Sequence, residues 1–139
     1  MEAKELMIGD WVYNSYHKKN IKWDYSEMFC SNGIPVIGRD LEPITLTPEI
    51  FEKNGFSLCR NFKWYCKRFY SNGCFDIAIS LAYREIEVSK VCGAGTDCEE
   101  VEYGSSIVFD NDICVHELQH ALRLCGLNEL ADNFKVYEE

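Results

Sequence analysis

The chain has 139 residues, 47% of them hydrophobic, and a formal net charge of −9, which predicts one domain over residues 1–139 with its own core. The acidic balance argues against electrostatic binding to nucleic-acid phosphates and to anionic membrane surfaces. No apolar run is long enough to span a bilayer, and residues 1–6 do not read as a secretory signal peptide, so we expect an intracellular protein.

Short strands are predicted in the N-terminal third of the chain. Residues 7–13 are rich in large β-forming side chains, and residues 20–25 alternate between apolar and polar positions. The polar segment 15–19 between them predicts a hairpin. Residues 31–33 form a predicted loop, and residues 41–46 a short extended segment.

A helix is predicted immediately after this segment. Thr47 is a suitable N-cap, Pro48 suits the first helical position, and Glu49 complements the helix dipole. The pair Asn54-Gly55 ends the helix, because glycine adopts a left-handed C-terminal conformation at low cost.

The central part of the chain is predicted to be rich in strands. Residues 75–83 alternate strictly, which predicts a half-buried strand of an antiparallel sheet. The pair Asn72-Gly73 is a hairpin signal, and residues 62–70 are the natural partner strand. Residues 84–91 are expected to continue in an extended conformation.

The C-terminal third of the chain is predicted to contain both strands and helices. Residues 101–109 supply a further strand or two, broken at residues 104–106. A helix follows over residues 112–125 and ends at Gly126, and residues 128–132 add one short turn. The fold class is therefore α+β: a curved antiparallel β-sheet or partial barrel with two principal helices, in a single domain.

Eight cysteines are present, but no two have C-x-x-C spacing. Without a secretory signal, we expect reduced thiols rather than disulfides or a structural metal site. Three of them lie in aromatic, strand-like surroundings, where cysteine acts as a small hydrophobe. The eight are Cys30, Cys59, Cys66, Cys74, Cys92, Cys98, Cys114 and Cys125.

The stretch His116-Glu117-Leu118-Gln119-His120 has the H-E-x-x-H pattern of zinc metallopeptidases. Histidines one helical turn apart can share a zinc ion, and the intervening Glu117 can polarise a zinc-bound water. A third ligand is needed, and Glu129, just beyond the helix, is the candidate. This reading predicts a zinc peptidase with His116, His120 and Glu129 as ligands and Glu117 as the catalytic base.

The same residues have a second interpretation. In a helix, His116, Gln119, His120 and Arg123 lie opposite the apolar arc, so they would form the solvated face of an amphipathic helix. On this interpretation no cofactor is expected, and zinc belongs only to the peptidase alternative.

Three segments resemble a family of small uncharacterised proteins carried by phages, prophages and mobile elements of gut Bacteroidetes. They are KELMIGDWVY (4–13), GRDLEPITLTPEIFEKNGF (38–56) and VHELQHAL (115–122). The resemblance implies the cytoplasm of a bacterial host cell. In that family the positions of Glu117 and His120 also hold glutamine and asparagine, which implies packing or recognition rather than catalysis.

Three functions therefore stay open. The first is a non-catalytic binding domain for a host protein or a small molecule, without nucleic-acid or membrane partners. Aromatic side chains such as Trp23, Trp64 and Tyr65 are possible contacts, although the sheet core is the commoner place for them. The second function is a zinc metallopeptidase, and the third is a structural or oligomer-forming subunit.

Overall fold

The structure is a computed structural model that describes residues 6–7, 9–15, 18–23, 41–70, 73–93 and 95–136. It confirms the α+β class, with two antiparallel sheets that do not close into a barrel within the described residues. The chain clusters into two compact units, and each is described here by itself. The first unit comprises Met1–Thr45 with Cys114–Glu139, and the second comprises Leu46–Ile113. The single domain over residues 1–139 stays a prediction.

Eight strands and three helices are present in the described residues. In chain order they are β1 (Trp11–Asn14), β2 (Lys19–Lys22), β3 (Leu41–Glu42), α1 (Pro48–Lys53), β4 (Ser57–Cys59), β5 (Trp64–Tyr70), β6 (Cys74–Ser80), β7 (Glu85–Cys92), β8 (Glu100–Val108), α2 (Val115–Leu124) and α3 (Asn128–Asp132). None of the described helices has the length and apolar character needed to cross a membrane.

The first unit contains a small sheet in the order β2-β1-β3. The predicted hairpin is confirmed, because β1 and β2 pair antiparallel with Val12 opposite Ile21. The first strand begins at Trp11, four positions later than predicted, since Gly9 adopts a positive φ of 94° and its N–H donates to the Trp23 carbonyl. Trp23 is buried with Leu6 and the β1–β2 core residues, so its core interpretation is confirmed.

Helices α2 and α3 complete the first unit. Helix α2 begins at Val115 rather than at residue 112, because Thr45 and Cys114 form a β-bridge and the Val115 N–H donates to the Ile44 carbonyl at 2.7 Å. The backbone before Val115 is thus held extended. Gly126 separates the two helices with a φ of 81°, as its predicted role as a helix stop requires.

The second unit begins with α1, which forms as predicted. Thr47 Oγ1 accepts a hydrogen bond from the Ile50 N–H at 3.4 Å, and Pro48 occupies the first turn. After Gly55, the Phe56 N–H returns to the Phe51 carbonyl at 3.0 Å, and the two rings meet at 5.4 Å.

Five strands form the main sheet of the second unit, in the order β4-β5-β6-β7-β8. The predicted pairing of β5 with β6 is confirmed, with Lys67 opposite Ile77. Residues 71–72 of the predicted hairpin turn lie outside the described residues, as do the loop at residues 31–33 and Tyr25. Trp64, in β5, is buried, and Tyr65 stacks on Phe51 with ring centroids 4.4 Å apart.

The strand predicted over residues 75–83 is wrong at its C-terminal end. Strand β6 stops at Ser80, the Tyr83 N–H donates to Ser80 Oγ at 3.1 Å, and Arg84 adopts a φ of 54°. The hydrogen bond and the left-handed conformation of Arg84 close a turn, after which β7 runs antiparallel to β6. The strand is also buried on both faces, since Ala78 and Ser80 are only 4% and 0% exposed, so the half-buried prediction is wrong as well.

Strand β8 is one continuous strand, so the predicted break at residues 104–106 is wrong. The irregularity is a register shift opposite Lys90 and Val91, which leaves Glu102 as the extra residue of β8. All nine residues of β8 are exposed.

The cysteines follow the prediction only in part. Cys74 is buried as a small hydrophobe, as expected. Cys59 and Cys66 instead form a disulfide with a Cα–Cα distance of 6.2 Å, so the expectation of reduced thiols is wrong for this pair. The cause is the β4–β5 pairing, which places Cys66 opposite Ser57 and Cys59 opposite Trp64, and so brings the two cysteines to diagonal positions on one face.

Candidate functional site beside helix α2

Glu117, the predicted catalytic base, is used as a helix cap. It occupies the third position of α2, and its Oε1 accepts a hydrogen bond from the Cys114 N–H at 3.0 Å. This is the reciprocal contact of a capping box, which satisfies one of the backbone donors that a helix N-terminus leaves without a partner. One oxygen of the carboxylate therefore has a structural role in the first turn of the helix.

Gln119 joins three segments of the first unit. Its Oε1 accepts from the Trp11 N–H at 2.8 Å, and its Nε2 donates to the carbonyls of Gly9 and Ala131 at 2.8 and 2.9 Å. The side chain is 0% exposed, so its predicted place on a solvated helix face is wrong. The burial of this polar side chain is possible because its three hydrogen bonds satisfy the amide group in the interior.

Asp10 is a buried carboxylate bound by three partners. Its two oxygens accept from the Met7 N–H at 2.8 Å, from His120 Nε2 at 2.5 Å and from the Arg123 guanidinium. Burial acts to raise the pKa of Asp10, but the hydrogen bonds from His120, Met7 and Arg123 outweigh it, so the pKa lies below its ordinary value. Asp10 is thus ionised at neutral pH, and His120 Nε2 is the donor in their hydrogen bond.

Arg123 extends this cluster toward α3. Its side chain is 9% exposed and contacts the carboxylate of Asp132 at 3.2 Å in addition to Asp10. A Cβ added at Gly9 would lie 3.0 Å from the Arg123 guanidinium, so the glycine permits this close approach. The second interpretation of the helix, a solvated polar face, is therefore wrong for Arg123.

His116 and His120 are the two proposed zinc ligands that the structure brings together. Their ring centroids are 5.6 Å apart, with the ring planes at 81°. Glu129 lies exposed in the first turn of α3. In the part of the chain that the structure describes, no group of three or more His, Cys, Asp and Glu side chains is placed to hold a metal ion.

An open depression of about 850 Å³ lies beside the C-terminal half of α2. Its polar part is formed by His120, Arg123 and Asp132, and its apolar part includes Met7 and Leu124. Leu124 is 83% exposed and Met7 48% exposed, which is unusual for large apolar side chains that lie together. The volume falls in the range of small-molecule binding sites.

Few features of the sequence indicate this site. Asp10 lies within the first predicted strand, residues 7–13, and its partners His120 and Arg123 follow it by 110 and 113 positions. One local signal was present: an aspartate between Ile8 and Trp11 interrupts an otherwise apolar segment, and a carboxylate buried there requires partners.

No family model, no curated protein and no solved structure matches the chain. The resemblance of three segments to proteins of phages and mobile elements therefore stays a prediction. The candidate function rests on the residues of the first unit.

Proposed function

We propose that the protein is a non-catalytic binding domain whose ligand site is the depression beside α2. The observation that supports this most is the division of roles along the helix. Glu117, Gln119 and Arg123 are held by hydrogen bonds within the unit, whereas Leu124 is left exposed at the depression. Of the residues that suggested catalysis, Glu117 caps the helix and His120 is bound to Asp10, and the surface next to them includes the exposed apolar side chain of Leu124.

The charges at the depression point to an uncharged ligand. The guanidinium of Arg123 contacts the carboxylates of both Asp10 and Asp132, so its positive charge is already compensated. An anionic ligand would have to compete with two carboxylates for this one cation. A cationic ligand would have only Asp132 within reach, because Asp10 is fully buried.

The ligand class follows from the remaining groups. Met7 and Leu124 offer apolar surface, and His120, whose side chain is 28% exposed, offers the ring nitrogen that is not bound to Asp10. We therefore propose a small organic ligand with an apolar body and one neutral hydrogen-bonding group. Ligand sites of this kind combine apolar walls with a few polar groups that fix the orientation.

Binding of the neutral apolar dye Nile red tests this site. Leu124→Glu places a charge in the depression, and Leu58→Glu makes the same change at an exposed leucine of the second unit, 48% exposed in β4. We expect dye fluorescence to fall at least several-fold with Leu124→Glu and to stay at the wild-type level with Leu58→Glu. Equal binding by both variants, or no binding by the wild type, would contradict the proposed site.

A zinc metallopeptidase is the second candidate. It is favoured by one observation, the hydrogen bond from His120 Nε2 to the buried Asp10 carboxylate. In zinc proteins a carboxylate often orients a ligating imidazole in this way, leaving the other ring nitrogen for the metal. His116, His120 and Glu129 would be the ligands, and Glu117, whose Oε1 caps the helix, would act on water through its other oxygen.

The biological setting is part of the proposal. The resemblance of the three segments supports an origin in a phage or mobile element of gut Bacteroidetes and a place in the cytoplasm of the host cell. A host protein that inserts an apolar side chain is the alternative occupant of the depression. The net charge of −9 supports the expectation that nucleic acid is not a partner.

A further inference from the structure

Strand β8 is a long edge of the sheet in the second unit, and no strand of the described residues pairs with its outer side. Within the described residues it pairs only with β7, and all nine of its residues are exposed. Its exposed apolar side chains are Val101, Tyr103, Ile107 and Val108, between 39% and 68% exposed. The opposite edge strand, β4, has only three residues.

Natural sheets usually protect such an edge against pairing with another chain. The common devices are lysine or proline residues on the strand, a very short strand, or a bulge. Strand β8 contains neither lysine nor proline, and its one bulge lies at Glu102, near its N-terminal end. Residues 103–108 beyond the bulge pair regularly with β7 and are available as a template for another strand.

The residues of this regular segment fit a second copy of the same segment. In an antiparallel pair related by a two-fold axis at Ser105, Tyr103 lies opposite Ile107 and Gly104 opposite Ser106. One step further, Glu102 lies opposite Val108. Two apolar pairs form, and no carboxylate meets another carboxylate within the strand.

A foreign basic peptide fits this edge less well. Residues 103–108 carry no charged side chain, so the segment offers nothing to complement lysine or arginine. The acidic residues of β8, Glu100 and Glu102, lie together at its N-terminal end. Antiparallel pairing of two copies keeps the two Glu100–Glu102 ends apart, but it brings each of them toward Asp110, just beyond β8 of the other copy, so the pairing depends on the apolar residues of the segment 103–108.

We propose that β8 pairs antiparallel with β8 of a second copy of this chain, with the two-fold axis at Ser105. The two five-stranded sheets then join into one continuous sheet across the dimer. This surface belongs to the second unit, so the inference does not depend on the ligand site beside α2.

Crosslinking tests the position of the axis. Opposite residues of an antiparallel pair have Cα atoms about 4.5 to 5.5 Å apart, within the range that a disulfide spans. In a Cys98→Ser background, Ser105→Cys is expected to form a crosslinked dimer on mild oxidation. Val101→Cys is the matched control: it is also exposed on β8, but its two copies would lie roughly 27 Å apart at about 3.4 Å per residue. Equal crosslinking by both variants overturns the register.

Charge reversal at the axis tests the dimer itself. Ser105→Glu and Ser105→Lys each place two like charges opposite one another, whereas a mixture of the two variants places opposite charges there. By native mass spectrometry and sedimentation velocity, we expect a concentration-dependent dimer for the wild type and at least a tenfold weaker dimer for each variant alone. The mixture is expected to form a heterodimer.

Two results overturn the proposal. One is a wild type that stays monomeric up to its solubility limit. The other is a dimer that neither Ser105 variant weakens, which places the contact on another surface. Because Ser105 is exposed, circular dichroism is expected to show the wild-type fold for both variants. The heterodimer formed by mixing separates a lost contact from a lost fold, since an unfolded variant cannot regain pairing.

Discussion

Replacing Asp10 with asparagine tests whether the buried carboxylate holds the first unit together. The substitution keeps the size of the side chain but removes the charge that Arg123 and His120 share. Removing one partner of a buried ion pair typically costs about 3 to 5 kcal/mol, because the other charge stays buried without compensation. Arg123 keeps its contact with Asp132 at 3.2 Å, so we expect the lower end, about 3 kcal/mol. For a chain of this length, that loss lowers the melting temperature by roughly 10 °C.

The matched control is Asp132→Asn, which makes the same change at the other carboxylate of Arg123. The Asp132 side chain is 56% exposed, so solvent screens the pair and the expected loss is below about 1 kcal/mol. Urea unfolding followed by circular dichroism measures both losses. If Asp10→Asn destabilises the protein no more than Asp132→Asn, the buried cluster does not stabilise the fold as argued here.

Three further predictions concern protons, metal and thiols. The pKa of Asp10 in the folded chain is lowered from its ordinary value of 3.8. The Asp10 carboxylate therefore stabilises the fold fully above pH 3.8, and this stabilisation is lost as the pH falls through the lower pKa of the folded chain. The difference in unfolding free energy between wild type and Asp10→Asn should therefore shrink in acid, and a constant difference would contradict this. Protein purified without a histidine tag is expected to contain little zinc and to melt at the same temperature with a chelator, whereas near-stoichiometric zinc lost on His120→Ala would favour the peptidase. Peptide mapping without reductant should find Cys59 joined to Cys66, and reduction should cost about 2.5 kcal/mol by the loop-closure relation for a short loop.

Residues close together in the sequence were sufficient to predict those elements whose conformation depends mainly on neighbouring residues. Helix α1 follows from Thr47, Pro48 and Gly55, each of which performs in the structure the role that its residue type favours. The pairing of β5 with β6 follows in the same way from the alternation of residues 75–83 and the hairpin signal at Asn72-Gly73. These features depend on residues no more than 14 positions apart, where propensity and the turn chemistry of the segment decide the conformation.

The missed turn after β6 shows where local signals fail. Residues 81–84 contain no glycine, proline, asparagine or aspartate, and the alternation of apolar residues runs through them without a break. What closes the turn is the Ser80 hydroxyl together with a positive φ at Arg84, a conformation that few non-glycine residues adopt. Pairing of β7 along the whole length of β6 compensates for this, and pairing between distant residues is not visible in a local pattern.

The candidate site could be predicted only as a set of residues on one helix. The spacing of His116 and His120 placed them together, and their rings do lie 5.6 Å apart. The surroundings of His120 and Gln119 depend on residues about 110 positions away, and those partners decide what each side chain can do. His120 is held by Asp10 through such a contact, and Gln119 by the Gly9 carbonyl. No property of the helix sequence indicates which distant segment packs on it.

Glu117 shows most clearly how one position can satisfy two patterns. A glutamate following the first histidine of H-E-x-x-H is the base of a zinc peptidase, and a glutamate at the third position of a helix is the reciprocal half of a capping box. The sequence fits both, because the helix happens to begin one residue before His116. The bridge between Thr45 and Cys114 sets that start, and it thereby assigns one oxygen of Glu117 to the backbone of Cys114. Catalysis by this carboxylate would therefore fall to its other oxygen, in an orientation that the cap already sets.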